Sequence, residues 1–523
     1  MAAQHTGPAQ RPGTGPAGVM ETQVIIVGAG PVGLMLAAEL CLRGVQVSVV
    51  EQRHRPTAES RASTLHARTM EILDSRGLLP DLGTPPNEPR GHFGGVPLNL
   101  TLPGAYPGQW KVPQTKTESV LEEWALSLGA DIRCGHRLRL LDLSQHPEAV
   151  EVEAVGRDGR PVRLRGSHLV ACDGQDSTVR RLTGADFPGR PAVRELLRAD
   201  VDGIDIPDRR FQRLPRGLAI AARRADGVTR VMVHEFGSAA RERTGPVRYE
   251  EVAAAWQRVT GEDIDGGKPL WVNHFDDANR LLAQYRHGRV LYAGDAAHRQ
   301  MPTGGQALNL GLQDAFNLGW KLAAEVQGHA PEGLLDTYHE ERRAVGAAVL
   351  ANIRAQVALL LGGPEVEPLR SVLAELIAGE PVRARLAGMI SGLDIRYSTC
   401  GSGHPLVGAR LPYARLLVGG CPRTTFELLR SGRGLLLGLD GRPPAAGGRW
   451  ADRVDLVAAR PEPGADAGEL DGVAAVAVRP DGHVVWAAGA DPGTGAAADT
   501  GSGADRAGEG LTAVLGRWFG APR

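Results

Sequence analysis

The feature that most constrains the fold is a glycine-rich motif between two apolar segments near the N-terminus. Residues 22–27 predict a short buried strand, and Gly28-Ala29-Gly30-Pro31-Val32-Gly33 follows it directly. Apolar residues at helical spacing then run to Gly44, which is typical of a helix C-cap, and a second apolar run, residues 45–50, ends at Glu51. This order of strand, GxGxxG, helix, strand and acidic residue is typical of a dinucleotide-binding βαβ unit.

Each glycine of the motif has an expected role in holding a dinucleotide. Gly28 permits a tight turn, Gly30 lets a pyrophosphate approach the backbone, and Gly33 lets the helix lie close to the strand. Glu51 is expected to accept hydrogen bonds from the adenosine ribose. The predicted cofactor contacts in this unit are Gly28, Gly30, Pro31, Val32, Gly33, Glu51 and Gln52. The motif alone does not distinguish FAD from NAD.

Two later segments also place a glycine and a carboxylate at the end of a predicted strand. Residues 168–171 lead into Asp173-Gly174, and residues 289–293 lead into Gly294-Asp295. A carboxylate in this position can accept hydrogen bonds from ribose or ribityl hydroxyls. Each segment also has an ordinary interpretation, because Asp-Gly is a common turn pair and Gly-Asp fits a plain strand-to-helix crossover.

A glycine-rich loop, residues 302–309, leads from the last of these segments into a helix predicted from about Leu310 to Glu325. Backbone N–H groups in such a loop, together with the positive end of a helix, can approach a planar electron-accepting ring. The loop residues predicted to contact a cofactor are Pro302, Gly304, Gly305, Ala307, Leu308 and Asn309.

Two polar residues between these motifs are further candidates. Arg61 lies shortly after the dinucleotide motif, where a guanidinium can neutralise a pyrophosphate through paired hydrogen bonds; a solvated surface position is the alternative. Gln114 begins a helix that Gly129 ends, and it fits either a contact with the ribityl chain or pyrophosphate or a capping role.

Length and composition limit the possible classes of protein. With 523 residues, two or three domains are expected. A formal net charge of −1 gives no support for a nucleic-acid partner. The five cysteines have neither metal-ligand nor CxxC spacing, which favours a reduced cytoplasmic protein without a metal site. No apolar run reaches about 18 residues, so we expect no membrane span.

The chain divides into four predicted parts within an α/β fold. Residues 1–20 are expected to be a disordered tail, and residues 21–186 with 287–400 a discontinuous cofactor domain. This domain is expected to include one helix that carries both Met70 and Leu79, and a helical region, 332–393, with helices at about 332–361 and 365–393. Residues 187–286 predict an inserted β-sheet domain with one short helix near 249–260. Residues 401–523 predict a small C-terminal α/β domain, which begins with a linker at 401–408 and ends with a low-complexity stretch, about 487–510, and a last helix, 511–519. Six side chains of the inserted sheet are expected either to cover a flat ligand or to form an ordinary core: Phe211, Leu218, Met232, Phe236, Trp271 and Phe275.

The three motifs together resemble those of single-component FAD-dependent aromatic hydroxylases, the group A flavoprotein monooxygenases that include para-hydroxybenzoate hydroxylase. Three further segments are similar to the polyketide hydroxylases of actinomycete antibiotic pathways: Leu65-His66-Ala67-Arg68-Thr69, residues 91–98, and Asp314-Ala315-Phe316-Asn317-Leu318-Gly319-Trp320-Lys321-Leu322. The resemblance covers residues 22–346 and continues more loosely to the C-terminus.

This resemblance implies a Rossmann-like FAD-binding domain, an inserted β-sheet substrate domain and a C-terminal thioredoxin-like domain that lacks a redox CxxC. It implies FAD as cofactor and NADPH, or NADH, as co-substrate, with no second Rossmann domain. Arg61 and Gln114 would lie near the pyrophosphate and ribityl chain, and Leu138 would flank the adenine. Asp295 would hold the ribityl or pyrophosphate region, and residues 302–309 would line the isoalloxazine. Asp173-Gly174 would contact both FAD and NAD(P)H.

The sequence departs from the family pattern at two places. Ala307 stands where relatives commonly have glycine, and it would restrict flavin movement unless its φ is negative. Asn273-His274 stands where relatives often carry an arginine, which puts a substrate role there in doubt.

The activity that the resemblance implies is hydroxylation of a polycyclic aromatic polyketide in antibiotic biosynthesis. NAD(P)H would reduce FAD, and O2 would add to form a C4a-hydroperoxide that hydroxylates the substrate. A phenolate substrate supplies much of the electronic push, so no catalytic residue is assigned. The alternatives are a Baeyer–Villiger or ring-opening oxygenase, a non-catalytic dinucleotide-binding regulator and a two-electron dehydrogenase. Oligomeric state stays open, with a homo-oligomer allowed.

Overall fold

The computed structural model describes residues 18–55, 62–143, 148–243, 245–398, 403–442, 444–466, 468–489 and 510–522. Three sequence predictions therefore fall wholly or largely outside the described residues: the N-terminal tail, the role of Arg61, and the low-complexity stretch after Ala487.

The helices, in chain order, are α1 (Pro31–Cys41), α2 (Ala67–Asp74), α3 (Leu79–Leu82), α4 (Gln114–Ser127), α5 (Thr178–Thr183), α6 (Tyr249–Thr260), α7 (Gln306–Val326), α8 (Asp336–Leu361), α9 (Glu367–Ile377), α10 (Glu380–Ser391) and α11 (Leu511–Phe519). The strands are β1 (Val19–Glu21), β2 (Val24–Val27), β3 (Val47–Glu51), β4 (Leu65–His66), β5 (Asn87–Glu88), β6 (Arg90–Phe93), β7 (Val96–Asn99), β8 (Gln109–Trp110), β9 (Asp131–Cys134), β10 (Arg137–Asp142), β11 (Val150–Val155), β12 (Pro161–Gly166), β13 (His168–Ala171), β14 (Gly189–Arg190), β15 (Glu195–Asp202), β16 (Arg209–Leu214), β17 (Gly217–Arg223), β18 (Thr229–Glu235), β19 (Lys268–Asp276), β20 (Asn279–Leu281), β21 (Arg286–His287), β22 (Val290–Tyr292), β23 (His298–Arg299), β24 (Arg415–Val418), β25 (Cys421–Thr424), β26 (Gly434–Gly438), β27 (Val454–Pro461), β28 (Val473–Val478) and β29 (Val484–Gly489).

A largely parallel sheet forms the centre of the first domain, in the order β21-β22-β13-β2-β3-β9. Strands β22, β13, β2, β3 and β9 run parallel, and β21 is antiparallel to β22. Its inner strands are continuous apolar runs because helices cover the sheet. This confirms the predicted α/β class with a Rossmann-like cofactor domain.

Helices α1 and α7 pack against each other beside this sheet, and glycine allows their close approach. A Cβ added at Gly311 of α7 would lie only 2.7 Å from Cγ2 of Val32 in α1. The packing places the start of α7 next to the start of α1, so both helix N-termini lie near the same edge of the sheet.

The inserted sheet has five antiparallel strands in the order β16-β17-β18-β15-β19. One face forms a core with α6, in which Trp256 is fully buried. The other face contacts α8 through Ile353 and Val357, and it also contacts Met301. Five of the six predicted side chains lie in that contact: Phe211, Leu218, Met232, Phe236 and Phe275. The sixth, Trp271, instead lies under the guanidinium of Arg198.

The C-terminal sheet has the order β25-β24-β27-β26-β28-β29, with β26 and β27 parallel and the other pairs antiparallel. The predicted linker before it is packed where the structure describes it, since Leu406 is buried and the Gly408 N–H donates to the Val484 carbonyl at 2.8 Å. The thioredoxin-like assignment and the four domain boundaries stay predictions.

Several predicted helix bounds are wrong for local reasons. The helix predicted over about 365–393 is two helices, because α9 ends at Ile377 and Gly379 caps α10 with a proline in its first turn. Leu79 belongs to α3 rather than α2, since Gly77 has a φ of +74° and ends the turn between them. Helix α7 begins at Gln306, four residues earlier than predicted.

One described helix, Asp336–Leu361, is long and apolar enough to cross a membrane, and half of its most apolar window is buried inside the protein. The sequence analysis expects no apolar run of this length, and this helix contradicts that expectation by length and composition alone. A core helix passes the same test, and Arg342 in this helix is a fully buried ion-pair partner.

Candidate active site

The three glycine-and-carboxylate motifs meet at one edge of the parallel sheet. Val27 of β2 lies beside Ala171 of β13, and Ala171 lies beside Tyr292 of β22. The segments that follow these three residues carry Gly28, Asp173 and Gly294, respectively. Ligands of open parallel sheets bind at the carboxyl ends of the strands. The structure therefore brings the three motifs, far apart in sequence, to a single edge suited to a ligand.

The glycines of the first motif have the geometry expected for a dinucleotide loop. Gly28 has a φ of +103°, and a Cβ added there would lie 2.4 Å from the Cys172 carbonyl oxygen. A Cβ added at Gly33 would lie 2.0 Å from the Gly28 oxygen. In contrast, no atom lies within 4 Å of a Cβ added at Gly30. The loop is tightly packed at both ends and open in the middle, as a pyrophosphate requires.

Glu51 ties the end of β3 to this loop. One carboxylate oxygen accepts a hydrogen bond from the Ala29 N–H at 2.8 Å, and the other accepts from the Arg53 N–H at 2.7 Å. Gln52 beside it is exposed, and Leu138 on β10 is buried in the main core. Contacts of these residues with a ribose or adenine stay predictions.

Asp173 presents a buried acceptor at the second motif. Its Oδ2 accepts hydrogen bonds from the N–H groups of Thr178 and Val179 at 2.7 and 3.1 Å, whereas its buried Oδ1 has no partner within the described residues. Burial raises the pKa of this carboxyl, although those hydrogen bonds and one with Ser177 oppose the shift. Gly174 beside it has a φ of +80°. The orphaned oxygen is suited to a ligand hydroxyl.

The third motif is fixed from behind by α7. The N–H of Gly294 donates to Oδ2 of Asp314 at 3.1 Å, and Gly294 has a φ of +62°. The next residue, Asp295, is exposed at the sheet edge. The corner is thus held by its backbone while the Asp295 carboxylate faces outward.

The loop that follows ends in the first turn of α7. Gly304 and Gly305 have φ of +67° and +68°, and Ala307, Leu308 and Asn309 lie inside the helix. Because Ala307 is helical, its φ is negative and alanine is unstrained there. The first N–H groups of a helix have no partner within it and carry partial positive charge, so this turn suits an electron-rich ring edge.

The Asn309 side chain has a structural use. Its Oδ1 accepts hydrogen bonds from the His66 N–H and the Thr69 hydroxyl at 2.8 and 2.6 Å, and its Nδ2 donates to the carbonyls of Gly305 and Thr64 at 2.8 and 3.1 Å. The Asn309 side chain is therefore engaged within the protein, and a contact of this residue with FAD stays a prediction.

Comparison with known proteins decides which dinucleotide this edge serves. Residues 21–353 match the family described as FAD binding domain, and residues 404–522 match the family described as aromatic-ring hydroxylase, C-terminal. The chain is 40% identical, over 96% of its length and 100% of the relative's, to a 12-dehydrotetracycline 5-monooxygenase/anhydrotetracycline 6-monooxygenase of Streptomyces rimosus. This protein belongs to the FAD-dependent aromatic-ring hydroxylases.

Two further comparisons define the range of the relatives. CabE, described as an aromatic hydroxylase from angucycline biosynthesis, is 48% identical with a TM-score of 0.88 over 96% of this chain and 100% of its own. A dialkyldecalin synthase of Streptomyces rugosporus is 37% identical over 96% of this chain and 99% of its own length. The first confirms the predicted architecture, and the second shows that relatives include an enzyme not named as an oxygenase.

The hydroxylase carries the features that FAD binding needs. These are the open position at Gly30, the orphaned Oδ1 of Asp173, and the first turn of α7, where Ala307 and Leu308 are partly exposed. Gln114 accepts a hydrogen bond from the Ala62 N–H at 3.2 Å and donates to Glu118 at 2.8 Å. The individual FAD contacts of all predicted residues stay predictions.

Two buried polar side chains beside the loop were missed by the sequence reasoning. His66 and Gln306 are almost fully buried. Neither amide atom of Gln306 has a hydrogen-bond partner in the described part of the chain, and the His66 ring lies near the Gly304 and Ile390 backbone without a well-formed hydrogen bond. The His66 Nε2 lies 3.5 Å from a Cβ added at Gly305. Burial lowers the pKa of His66 to about 4, and the nearby Lys111 ammonium adds to this, so the imidazole is neutral at pH 7.

A cavity of about 530 Å³ opens beside this turn, between α7, α8 and the end of α10. Gln306 and Asn309 line its inner end, and Ala344, Ala348 and Met389 lie along its walls. Its volume lies within the range of small-molecule sites, and its walls mix apolar side chains with a few polar groups.

An arginine does lie on the face of the inserted sheet that contacts α8, at position 198 rather than 273. Arg198 lies directly across from Asn273 in β19 and from Met232 in β18. It is buried, and its guanidinium lies 4.3 Å from the centroid of the Trp271 ring. The sequence departure at Asn273 therefore leaves this face with a buried cation from the neighbouring strand.

Proposed function

We propose that this hydroxylase uses NAD(P)H and O2 to insert one oxygen atom into a flat polycyclic aromatic polyketide of an antibiotic pathway. The observation that carries the proposal is the convergence of the three motifs on one sheet edge in a chain of this family. Support for the substrate class comes from the relatives, which are named for tetracycline and angucycline chemistry.

Bound FAD would supply the activation of O2, and the protein's residues would supply binding and positioning. The loop around Gly30 and the carboxylates of Glu51, Asp173 and Asp295 would hold the phosphates and sugar hydroxyls. The N-terminal turn of α7, at Leu308 and Asn309, would stabilise negative charge on the ring of the reduced cofactor.

The substrate would occupy the cavity beside Gln306. Its volume of about 530 Å³ suits several fused rings, and the unpaired amide of Gln306 would hydrogen-bond a phenol or quinone oxygen at the inner end. No side chain is assigned as acid or base, because the substrate phenolate activates its own ring.

The test is a turnover under 18O2 with purified FAD-loaded enzyme, NADPH or NADH, and a panel of tetracyclic and angular polyketides, analysed by mass spectrometry. A labelled hydroxyl in the product supports the proposal. A labelled ring oxygen would indicate a Baeyer–Villiger reaction instead. An unlabelled oxidised product would indicate a dehydrogenase, and failure both to consume O2 and to convert any substrate would indicate a binding protein.

A second candidate is a ring-forming reaction without oxygen transfer. It is favoured by the 37% identity with the dialkyldecalin synthase over almost the whole chain. A product with the same mass as its substrate, formed without NAD(P)H, would identify this activity in the same experiment.

A further inference from the structure

A turn of the C-terminal domain, Arg479–His483, is buried inside the FAD-binding region of the chain. Arg479 and Asp481 are at most 1% exposed. Arg76 of the α2 region donates to the Pro480 carbonyl at 2.9 Å, and Arg68 of α2 donates to the Asp481 carbonyl at 2.9 Å. The turn therefore docks on residues that belong to a different part of the sequence.

The side chains of this turn join a buried ionic cluster on α7 and α8. Glu341 accepts hydrogen bonds from Arg479 at 2.6 and 2.9 Å, from Lys321 at 2.8 Å and from Asn317 at 2.7 Å. Asn317 also donates to Asp481 at 3.1 Å. Residues 314–322, singled out as a family-like segment, thus supply partners for the C-terminal turn.

The cluster is connected to the Gly294-Asp295 corner through Asp314, which lies one turn before Asn317 on α7. Asp314 accepts from the Gly294 N–H at 3.1 Å, from Nε2 of His298 at 2.8 Å and from Nε of Arg342 at 2.7 Å. Arg342 is the neighbour of Glu341 on α8. The carboxylate that fixes the Gly294 corner is therefore itself fixed by the same pair of helices that holds the turn.

A second connection runs through Tyr397. Arg342 donates to the Tyr397 hydroxyl at 3.0 Å. The centroid of the Tyr397 ring lies 4.3 Å from the centroid of the His483 ring and 5.0 Å from the guanidinium carbon of Arg479. Two routes thus link the turn to Arg342 and Asp314.

The charges of this cluster balance. Its carboxylates are Asp314, Glu341 and Asp481, and the cations that pair with them are Lys321, Arg342 and Arg479, all buried. Buried charges are tolerated only when paired, and the complete set of ion pairs forms only when the C-terminal turn is in place.

We propose that the Arg479–His483 turn positions the Gly294-Asp295 corner for FAD, with Tyr397 and Arg479 as positioning residues that act through Arg342 and Asp314. The inference rests on the proposed FAD site at that corner. It assigns to the C-terminal domain a part in cofactor binding, although no residue of that domain lies at the sheet edge among those described above.

Tyr397→Phe is the first test, because it removes one hydroxyl and keeps both ring contacts. We expect the Kd for FAD to rise about three- to tenfold, which is less than the effect of one hydrogen bond to a charged group because Tyr397 acts through Arg342 and Asp314, with a shift of the visible flavin spectrum and of the FAD reduction potential. Tyr249→Phe is the matched control, since that hydroxyl bonds to the Ile264 carbonyl within the inserted domain. It should leave FAD affinity, spectrum and potential unchanged.

A second variant tests the turn itself without changing the net charge of the cluster. Arg479→Met combined with Glu341→Gln removes one cation and one carboxylate together. We expect weaker FAD binding and an altered flavin spectrum in a protein that still unfolds cooperatively. If wild-type protein fails to bind FAD, the proposed function fails. If wild-type protein binds FAD and both variants match it in Kd, spectrum and potential, the positioning role of the turn is refuted.

Discussion

Replacing Gly30 by alanine tests the cofactor site directly, because this is the open position of the dinucleotide loop. Gly30 has φ −78° and ψ 179°, which alanine adopts without strain, and no protein atom lies within 4 Å of the added Cβ. The loss of a favourable helix N-cap, about 0.5–1 kcal/mol, is offset by a similar entropic gain from replacing glycine. The FAD-free protein should therefore keep its melting temperature within about 2 °C.

FAD binding should respond very differently to the same change. The added methyl would push a pyrophosphate away by about 1.5 Å, the length of the new bond. At that distance two or more charge-assisted N–H···O bonds from the start of α1 would be lost, at about 1.5 kcal/mol or more each. A loss of about 3 kcal/mol corresponds to roughly a 100-fold rise in Kd.

The assay is titration of FAD-free protein with FAD, followed by flavin fluorescence, beside a thermal melt of the same sample. Gly33→Ala is the comparison, since its Cβ would lie 2.0 Å from the Gly28 oxygen. That variant should lose both stability, by about 1–3 kcal/mol, and FAD binding. A Gly30→Ala protein that binds FAD within threefold of wild type would refute the placement of the pyrophosphate.

Three further predictions follow from the site and the buried cluster. Ala348→Phe, which fills the cavity, should raise the KM for the aromatic substrate at least about tenfold without changing FAD affinity. Ala347→Phe, on the same helix but outside the cavity lining, should leave this KM unchanged, and steady-state kinetics of the two variants decide this. Asp173→Asn keeps an oxygen for the Thr178 and Val179 N–H groups but puts an NH2 group in place of the orphaned Oδ1. FAD affinity should therefore fall about five- to thirtyfold while the melting temperature stays constant, and an unchanged FAD titration would contradict the assigned contact. Burial opposes the charge of Glu341, but Arg479 and Lys321 outweigh it and lower the pKa of Glu341 to about 2. This carboxylate therefore stabilises the fold above its unfolded pKa of about 4.3, and the stabilisation is lost as the pH falls from there towards 2. In urea unfolding at about pH 5, 4 and 3, the free energy of unfolding should depend less on pH in Glu341→Gln than in the wild type, and an equal pH dependence would argue against the pairing.

Local patterns predicted much of the fold because they depend on neighbouring residues. The helices Tyr249–Thr260 and Leu511–Phe519 match their predicted bounds, since each has a clear apolar face and a glycine that ends it. The start of α7 was misplaced because Gly304 and Gly305 were taken with the residues after them as one loop, although their positive φ completes the turn before Gln306.

The parts of the site that escaped prediction depend on contacts between distant residues. His66 lay inside a family-like segment, but its lack of a well-formed hydrogen bond follows from what surrounds it in three dimensions. Likewise, Arg479 and Glu341 are 138 positions apart, and neither the turn Arg479-Pro480-Asp481-Gly482-His483 nor α8 carries a pattern that marks the other as a partner. The signal that the sequence offers for such sites is a histidine or arginine within or beside a family-like motif.

The charge balance across α7, α8 and the Arg479–His483 turn limits how this chain can be rearranged. A fragment that stops before the C-terminal domain would keep the Glu341–Lys321 pair but lose Arg479 and Asp481, so the buried Glu341 carboxylate would lose its two hydrogen bonds from Arg479. Exchanging C-terminal modules between related enzymes should therefore succeed only when the donor carries this five-residue turn, together with the aromatic side chains that surround its arginine.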